Sequence, residues 1–182
     1  MTMTAFDHRL PWTEEEYLAL GDTPDRVELF DGSLFVSPAP TFRHQTMARR
    51  LANILEPAAE RAGLAVFEAV NIRLKPGRIP IPDVVLIHER DPGQLVGEAR
   101  DVAMVCEITS TSNASVDRVL KMHHYAEAGI SWYVLLDPEP VLLRLFRLEA
   151  DKYAPAGEAR PGEVLSLSEP IAVEIDPANL IR

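Results

Sequence analysis

Two carboxylates in this sequence sit where an uncompensated charge would be costly. Asp83 follows Pro82 at the mouth of an apolar run, residues 83–88, and Glu107 lies near the end of another, residues 102–109. An ionised carboxylate in or beside a buried strand must be protonated, paired with a cation or bound to a metal. If the two runs pair antiparallel, both carboxylates meet at one end of the sheet. Ligation by oxygens alone suits Mg²⁺ or Mn²⁺ and not zinc, which takes Cys or His. A plainer reading stands level with this one: Asp83 bonds its own turn, and Glu107 is a core carboxylate neutralised by an arginine.

Other residues could join them. Lys121 lies on a predicted helix that follows the Glu107 strand, where an ammonium could hold the attacking water and stabilise charge on phosphoryl oxygens. Its bland alternative is an exposed helical ion pair with Asp117, four residues before it, and on spacing alone that alternative is favoured. Glu28 interrupts the apolar run 27–30 and is either a further ligand or a solvent-facing hairpin residue. His44 shares a helical face with Met47 and Leu51, as a hydrogen-bonded core histidine or a phosphate contact. His123 and His124 are adjacent on a helix, so they point in different directions and make poor partners for one metal. The single Cys106 sits within an apolar run and reads as a buried, inert thiol.

The elements that must carry these groups follow from periodicity and punctuation. Thr13 with Glu16 three residues later is a capping-box pattern that opens a short first helix. Residues 27–30 and 33–36 form two apolar runs joined by Asp31-Gly32, the signature of a tight hairpin. From residue 42 to 62, Met47, Leu51, Leu55, Ala58 and Ala62 recur at helical spacing, with Pro57 predicting a kink or a break. Strands are predicted at 64–74, 83–88 and 102–109, the last two apolar enough to be covered on both faces. Ser112-Asn113-Ala114-Ser115 supplies cap residues for a helix that runs to Ala128 and stops at Gly129, before a strand at 132–136. Residues 93–97 read as a surface loop, and the run 141–148 with the shorter runs beyond it as meandering edge strands.

At 182 residues the chain fits one domain with a core at about 13–148 and a C-terminal β extension at about 149–182. No run is long and uncharged enough to span a bilayer, and no signal peptide is evident, so a cytoplasmic location without membrane association is expected. The formal net charge of -10 opposes sequence-independent affinity for nucleic acid, which depends on released counterions and hence on local cations. A nuclease needs only a local basic face, and its metal site is itself built from carboxylates.

Taken in order, several short strings resemble the Uma-two family of the PD-(D/E)XK nuclease superfamily. They are Tyr17-Leu18, Val27-Glu28-Leu29-Phe30-Asp31-Gly32, Ser37-Pro38-Ala39-Pro40 with His44, Pro82-Asp83-Val84-Val85, Glu107-Ile108-Thr109-Ser110, and Asp117-Arg118 with Lys121. Tyr125, Gly129 and Asp137-Pro138 also fit, so the resemblance covers roughly residues 14–138. It implies a restriction-endonuclease-like α/β fold, a central mixed sheet flanked by helices. It further implies Asp83, Glu107 and the Ile108 carbonyl as ligands of Mg²⁺ or Mn²⁺, Glu28 in support, and Lys121 in the lysine role. The wider superfamily usually places that lysine two residues after the acidic one, where this chain has Thr109. Thr111 and Asn113 depart from the family string in the loop and leave the ligands intact.

The expected activity is hydrolysis of DNA phosphodiester bonds, with Arg43, His44, Arg73, Lys75 and Arg118, and with Arg49, Arg50 and Arg78 beside them, as candidate DNA contacts. A homodimer is expected, since cutting both strands of a duplex is simplest with two sites related by a two-fold axis. Two other classes share these residues: a non-catalytic DNA-binding or protein-interaction module on the same fold, and a hydrolase of another phosphate ester.

Overall fold

Alternation along three central strands decides which helix covers which face of the sheet. In chain order the elements are α1 (Glu14–Leu18), β1 (Arg26–Phe30), β2 (Ser33–Ser37), α2 (Phe42–Arg61), β3 (Leu64–Glu68), β4 (Asn71–Arg73), β5 (Arg78–Ile79) and β6 (Val84–His88). There follow β7 (Val96–Glu98), β8 (Val102–Ile108), α3 (Ala114–Glu127), β9 (Trp132–Pro138), β10 (Val141–Glu149), β11 (Lys152–Ala159), β12 (Leu165–Leu167) and β13 (Val173–Ile175). The computed structural model describes residues 11–88, 91, 93–109 and 114–181, with backbone alone for 114–118.

Successive side chains of a strand point to opposite faces, so a strand covered on both sides is apolar at every position. Val84, Leu86, Met104, Cys106, Val134 and Leu136 pack with Met47, Leu51 and Leu55 of α2. Val85, Ile87, Val105, Tyr133 and Leu135 pack on the other face with Tyr125 of α3. The sheet runs β11-β10-β9-β8-β6-β3. Its neighbours are antiparallel except β8 and β9, which are parallel and joined by α3 as the crossover that such a pair requires. This is the mixed central sheet flanked by helices that the sequence implied.

A second, smaller sheet, β2-β1-β5, carries the N-terminal hairpin. Asp31 and Gly32 both take left-handed backbone angles, φ 48° and 84°, as a two-residue hairpin turn requires. The Thr13 and Glu16 capping box forms as read.

Four expectations need correction or extension. Residues 64–74 are two strands and not one, because Ala69 turns left-handed at φ 52° and sends β3 and β4 to different sheets. The stretch 93–97 is not wholly loop: it leads into β7, which pairs parallel with β4. A Cβ on Gly97 would stand 2.9 Å from Ile87 and 3.0 Å from Ile72, so glycine is what lets β7 pass this close. Helix α2 runs unbroken through Pro57. The carbonyl of Asn53 that loses its partner lies on the exposed side, where water can serve it. Finally, β10 and β11 extend the central sheet, and Leu165, Leu167, Ile175 and Leu180 pack with α2, so residues 149–181 complete the core. Ser112 and Asn113, read as cap residues, lie outside the described residues. No helix among the described residues is long and apolar enough to cross a membrane.

Gly32 and Gly63 both have left-handed φ, but a Cβ on Gly32 would meet Pro11 Cβ at 2.4 Å, whereas Gly63 faces open space. Urea unfolding should show Gly63→Ala costing about 1 kcal/mol and Gly32→Ala clearly more. Equal losses would mean that the Pro11 contact is not held in solution.

Candidate functional site

The pairing of β6 with β8 sets Val84 opposite Cys106, and the same register continued one step brings Asp83 opposite Glu107. Asp83 Oδ2 accepts the backbone N–H of Ile108 at 2.7 Å. Its Oδ1 accepts Arg26 Nη1 at 2.6 Å and lies 3.2 Å from His44 Nε2. Glu107 Oε1 accepts the Tyr125 hydroxyl at 2.6 Å and stands 3.5 Å from Lys121 Nζ. Lys121 Nζ donates in turn to Glu28 Oε1 at 3.0 Å, and that same oxygen accepts the backbone N–H of Ile81 at 2.7 Å.

Local geometry explains each arrival. Arg26 and Glu28 are two apart on β1 and so share a face, which the hairpin turns toward the central sheet. Lys121 and Tyr125 are four apart on α3 and lie on one stripe over the Glu107 face. His44 enters from the first turn of α2, where Thr41 caps the helix by accepting the His44 N–H.

The charge count is unbalanced. Glu28, Asp83, Glu107 and Lys121 are all buried, and Arg26 is mostly so. Among the described residues, three carboxylates therefore face two permanent cations. Burial would raise Asp83, but the His44 hydrogen bond and the Arg26 charge outweigh it and hold Asp83 below the ordinary carboxylate range. Burial pushes Glu107 up to about 7, with Lys121 opposing and Asp83 adding to the rise. Burial also raises Tyr125 well above an ordinary phenol, which keeps it a donor to Glu107. The cluster thus keeps Asp83 ionised, while Glu107 holds its proton to a far higher pH than an ordinary carboxyl. Oxygen donors in such a setting fit a hard divalent cation.

Among the described residues, a cavity of about 700 Å³ opens onto this cluster. Its lining includes Asp83, Arg26 and His44, with Asp22, Asp25 and Glu68 among the others. Glu28, Glu107 and Lys121 are buried and are not part of that lining.

The structure thus brings together Glu28, Asp83, Glu107, Lys121 and His44, with Ile108 at the strand end. Lys121 is not exposed as the reading on spacing had it, because it is buried between Glu28 and Glu107, and the Asp117 side chain lies outside the described residues. The plainer reading gave an arginine to Glu107 and left Asp83 to its own turn; instead Arg26 meets Asp83, and Glu107 is met by Tyr125 and Lys121. Arg26 and Tyr125 were not picked out as site residues, although each lay at the same-face spacing of one that was. Other candidates sit elsewhere: Arg43 is 3.4 Å from Glu139, Arg73 bridges Glu14 and Glu98, and Lys75 is 4.0 Å from Asp31. Arg50 reaches the Asn179 carbonyl, and Arg78 is buried against Asp31, Glu127 and His124. The Arg118 side chain lies outside the described residues.

The expectation for His123 and His124 is corrected in one respect. Ligand atoms of both rings and of Glu127 lie within 4.8 Å of one another. Arg78 Nη1, however, stands 2.6 Å from His124 Nδ1 and 2.7 Å from Glu127 Oε2, where a cation bound by this group would be repelled.

The model of a family described as "Uma2: Putative restriction endonuclease" matches residues 14–178. Among solved structures, the fold is similar to a crystal structure of a "putative nuclease belonging to DUF820" from Anabaena variabilis ATCC 29413. That similarity has a TM-score of 0.76 at 15% identity and covers 94% of this chain and 98% of that one. No curated protein matches the chain.

Because Glu107 titrates higher in the folded protein than the ordinary 4.5, the folded state holds a proton that the unfolded chain has released. The stability this confers is present below pH 4.5 and lost as pH rises through about 7. In metal-free buffer, stability from urea unfolding should fall by about 1–3 kcal/mol between pH 5 and 8, and fall less in Glu107→Gln. A wild-type curve that is flat across that window contradicts the assignment.

Proposed function

The chain belongs to the Uma2 family, and we propose that it is a metal-dependent endonuclease that hydrolyses DNA phosphodiester bonds at the cluster of Glu28, Asp83, Glu107 and Lys121. The observation that carries this reading is the meeting of Asp83 and Glu107 across antiparallel strands, with a buried lysine on the second carboxylate. Asp83, Glu107, the Ile108 carbonyl and, in support, Glu28 would hold Mg²⁺ or Mn²⁺. When bound, such an ion polarises the phosphoryl oxygen and lowers the pKa of water.

The chain's own residues do the rest. Lys121 Nζ, fixed between Glu28 and Glu107, orients the attacking water and stabilises the charge that grows on the phosphoryl oxygens. Tyr125 holds Glu107 in place from the opposite side. His44, at the cavity wall, is placed to contact the phosphate. The water oxygen loses one proton and bonds to phosphorus as one P–O ester bond breaks, and the leaving alkoxide takes up a proton from solvent, so that one water is added across the bond. Arg43, Arg73, Lys75 and Arg118 are proposed contacts to the DNA backbone. For Arg43 and Arg73 this requires exchanging a carboxylate partner for a phosphate. A homodimer would place two such sites on the two strands.

One observation favours a second reading. Arg26 already meets Asp83, as it would in a fold kept for binding DNA or another protein without cleavage.

Nicking of supercoiled plasmid separates the two. Wild type should nick with Mg²⁺ or Mn²⁺ and not with chelator. Asp83→Ala and Lys121→Ala should each lose about a hundredfold or more. Activity that survives both changes removes this site assignment, and a wild type inactive with either ion favours the binding module. Since the cavity and the whole chain carry excess negative charge, affinity for a short duplex should also depend on a divalent ion, measured with non-catalytic Ca²⁺.

A further inference from the structure

Arg26 is the most poorly housed charge in the cluster. One N–H group reaches Asp83 Oδ1 at 2.6 Å, but Nε and Nη2 are buried without a hydrogen-bond partner among the described residues. A buried orphan donor is costly, and more so on a charged group. The guanidinium is therefore held by one hydrogen bond and by electrostatic attraction, with its other donors unused. Asp83, Glu107 and Glu28 all act on it to favour its charge.

Its place matters as much as its partners. Arg26 lines the cavity together with Asp83, while Glu107, Glu28 and Lys121 are buried and outside its lining. It also uses the oxygen of Asp83 that faces His44, whereas the other oxygen is committed to the Ile108 N–H.

Counting charges shows what a divalent ion would do here. Three carboxylates are exactly offset by Lys121 and one divalent cation, and retaining Arg26 would then leave a buried excess of one positive charge. A buried charge without compensation is as costly when positive as when negative. On the reading of this cluster as a divalent-cation site, we propose that Arg26 is a resident counter-cation. It holds Asp83 in the ion-free protein, competes with the divalent ion for that carboxylate, and on being displaced turns into the cavity, where its freed N–H groups bind a phosphate of the substrate. Arg26 is in this sense both a closing device for the metal site and a positioning residue for the phosphate.

The test rests on two effects of opposite sign. By calorimetry, Arg26→Gln should bind Mn²⁺ about tenfold more tightly than wild type, because the competitor is gone. Arg26→Lys, which keeps a point charge, should stay near wild type, and Asp83→Asn should bind no ion at this site. With Ca²⁺ present, Arg26→Gln should bind a short DNA duplex several-fold more weakly, since the phosphate contact is lost. A purely structural role would weaken both. Arg26→Gln that is folded by circular dichroism and binds Mn²⁺ no better than wild type overturns the proposal. If that variant does not fold, the side-chain Nε–H resonance of Arg26 in the wild type decides. It should shift and exchange faster with water on saturation with Mg²⁺, and an unmoved, protected resonance overturns the proposal. A wild type that binds ion while Arg26→Gln binds no better sinks the Arg26 assignment alone, whereas absence of ion binding in both proteins sinks the metal site as well.

Discussion

Three carboxylates taken out of water with two permanent cations form the constraint that the rest of this structure serves. No single element could supply them. The β6–β8 pairing brings Asp83 and Glu107 to the same end of the sheet, the crossover helix α3 lowers Lys121 and Tyr125 onto Glu107, and the N-terminal hairpin delivers Arg26 and Glu28 from a separate sheet. Such an arrangement is poor evidence of stability, because desolvating ion pairs costs about as much as their attraction returns. Its retention makes sense when a ligand completes it. His44 and Arg26 hold Asp83 ionised, while burial pushes Glu107 up to about 7, so the two carboxylates of the pair are held in different states.

The position of the lysine has a structural reason. The wider superfamily that the sequence resembles usually carries it two residues after the acidic residue of the strand. Here Thr109 holds that place and donates its hydroxyl to Asp137 at the end of β9, at 2.9 Å. The ammonium arrives instead from α3, about two turns into the helix, and reaches both Glu28 and Glu107. A crossover helix packed on the Glu107 face of the sheet can supply this group as directly as the strand can, so the substitution at Thr109 leaves the cluster intact.

Much of this was legible from local patterns, and what was not depended on distant partners. The hairpin at Asp31-Gly32, the capping box at Thr13 and the helical stripe from Met47 to Ala62 are short-range signals, and the structure follows them. The meeting of Asp83 with Glu107 was legible as a condition, since it required only antiparallel pairing. The split of residues 64–74 was hidden because Ala69 is no usual left-handed residue, and the passage of β7 depends on Gly97 meeting Ile72 and Ile87 from other elements. Arg26 went unread for the same reason. Its spacing from Glu28 places it on the right face, but only the tertiary approach of β1 to the start of β6 shows that Asp83 is its partner. Similarly, Lys121 looked like half of a helical pair until the packing of α3 showed both of its carboxylates.

Locating the ion is the most direct examination of the central claim. A crystal soaked in Mn²⁺ and measured at the manganese edge should show an anomalous peak among the oxygens of Asp83 and Glu107, with the Arg26 guanidinium moved away from Asp83. A map with no peak there, or with manganese only beside His123, His124 and Glu127 while Arg26 still holds Asp83, would contradict it.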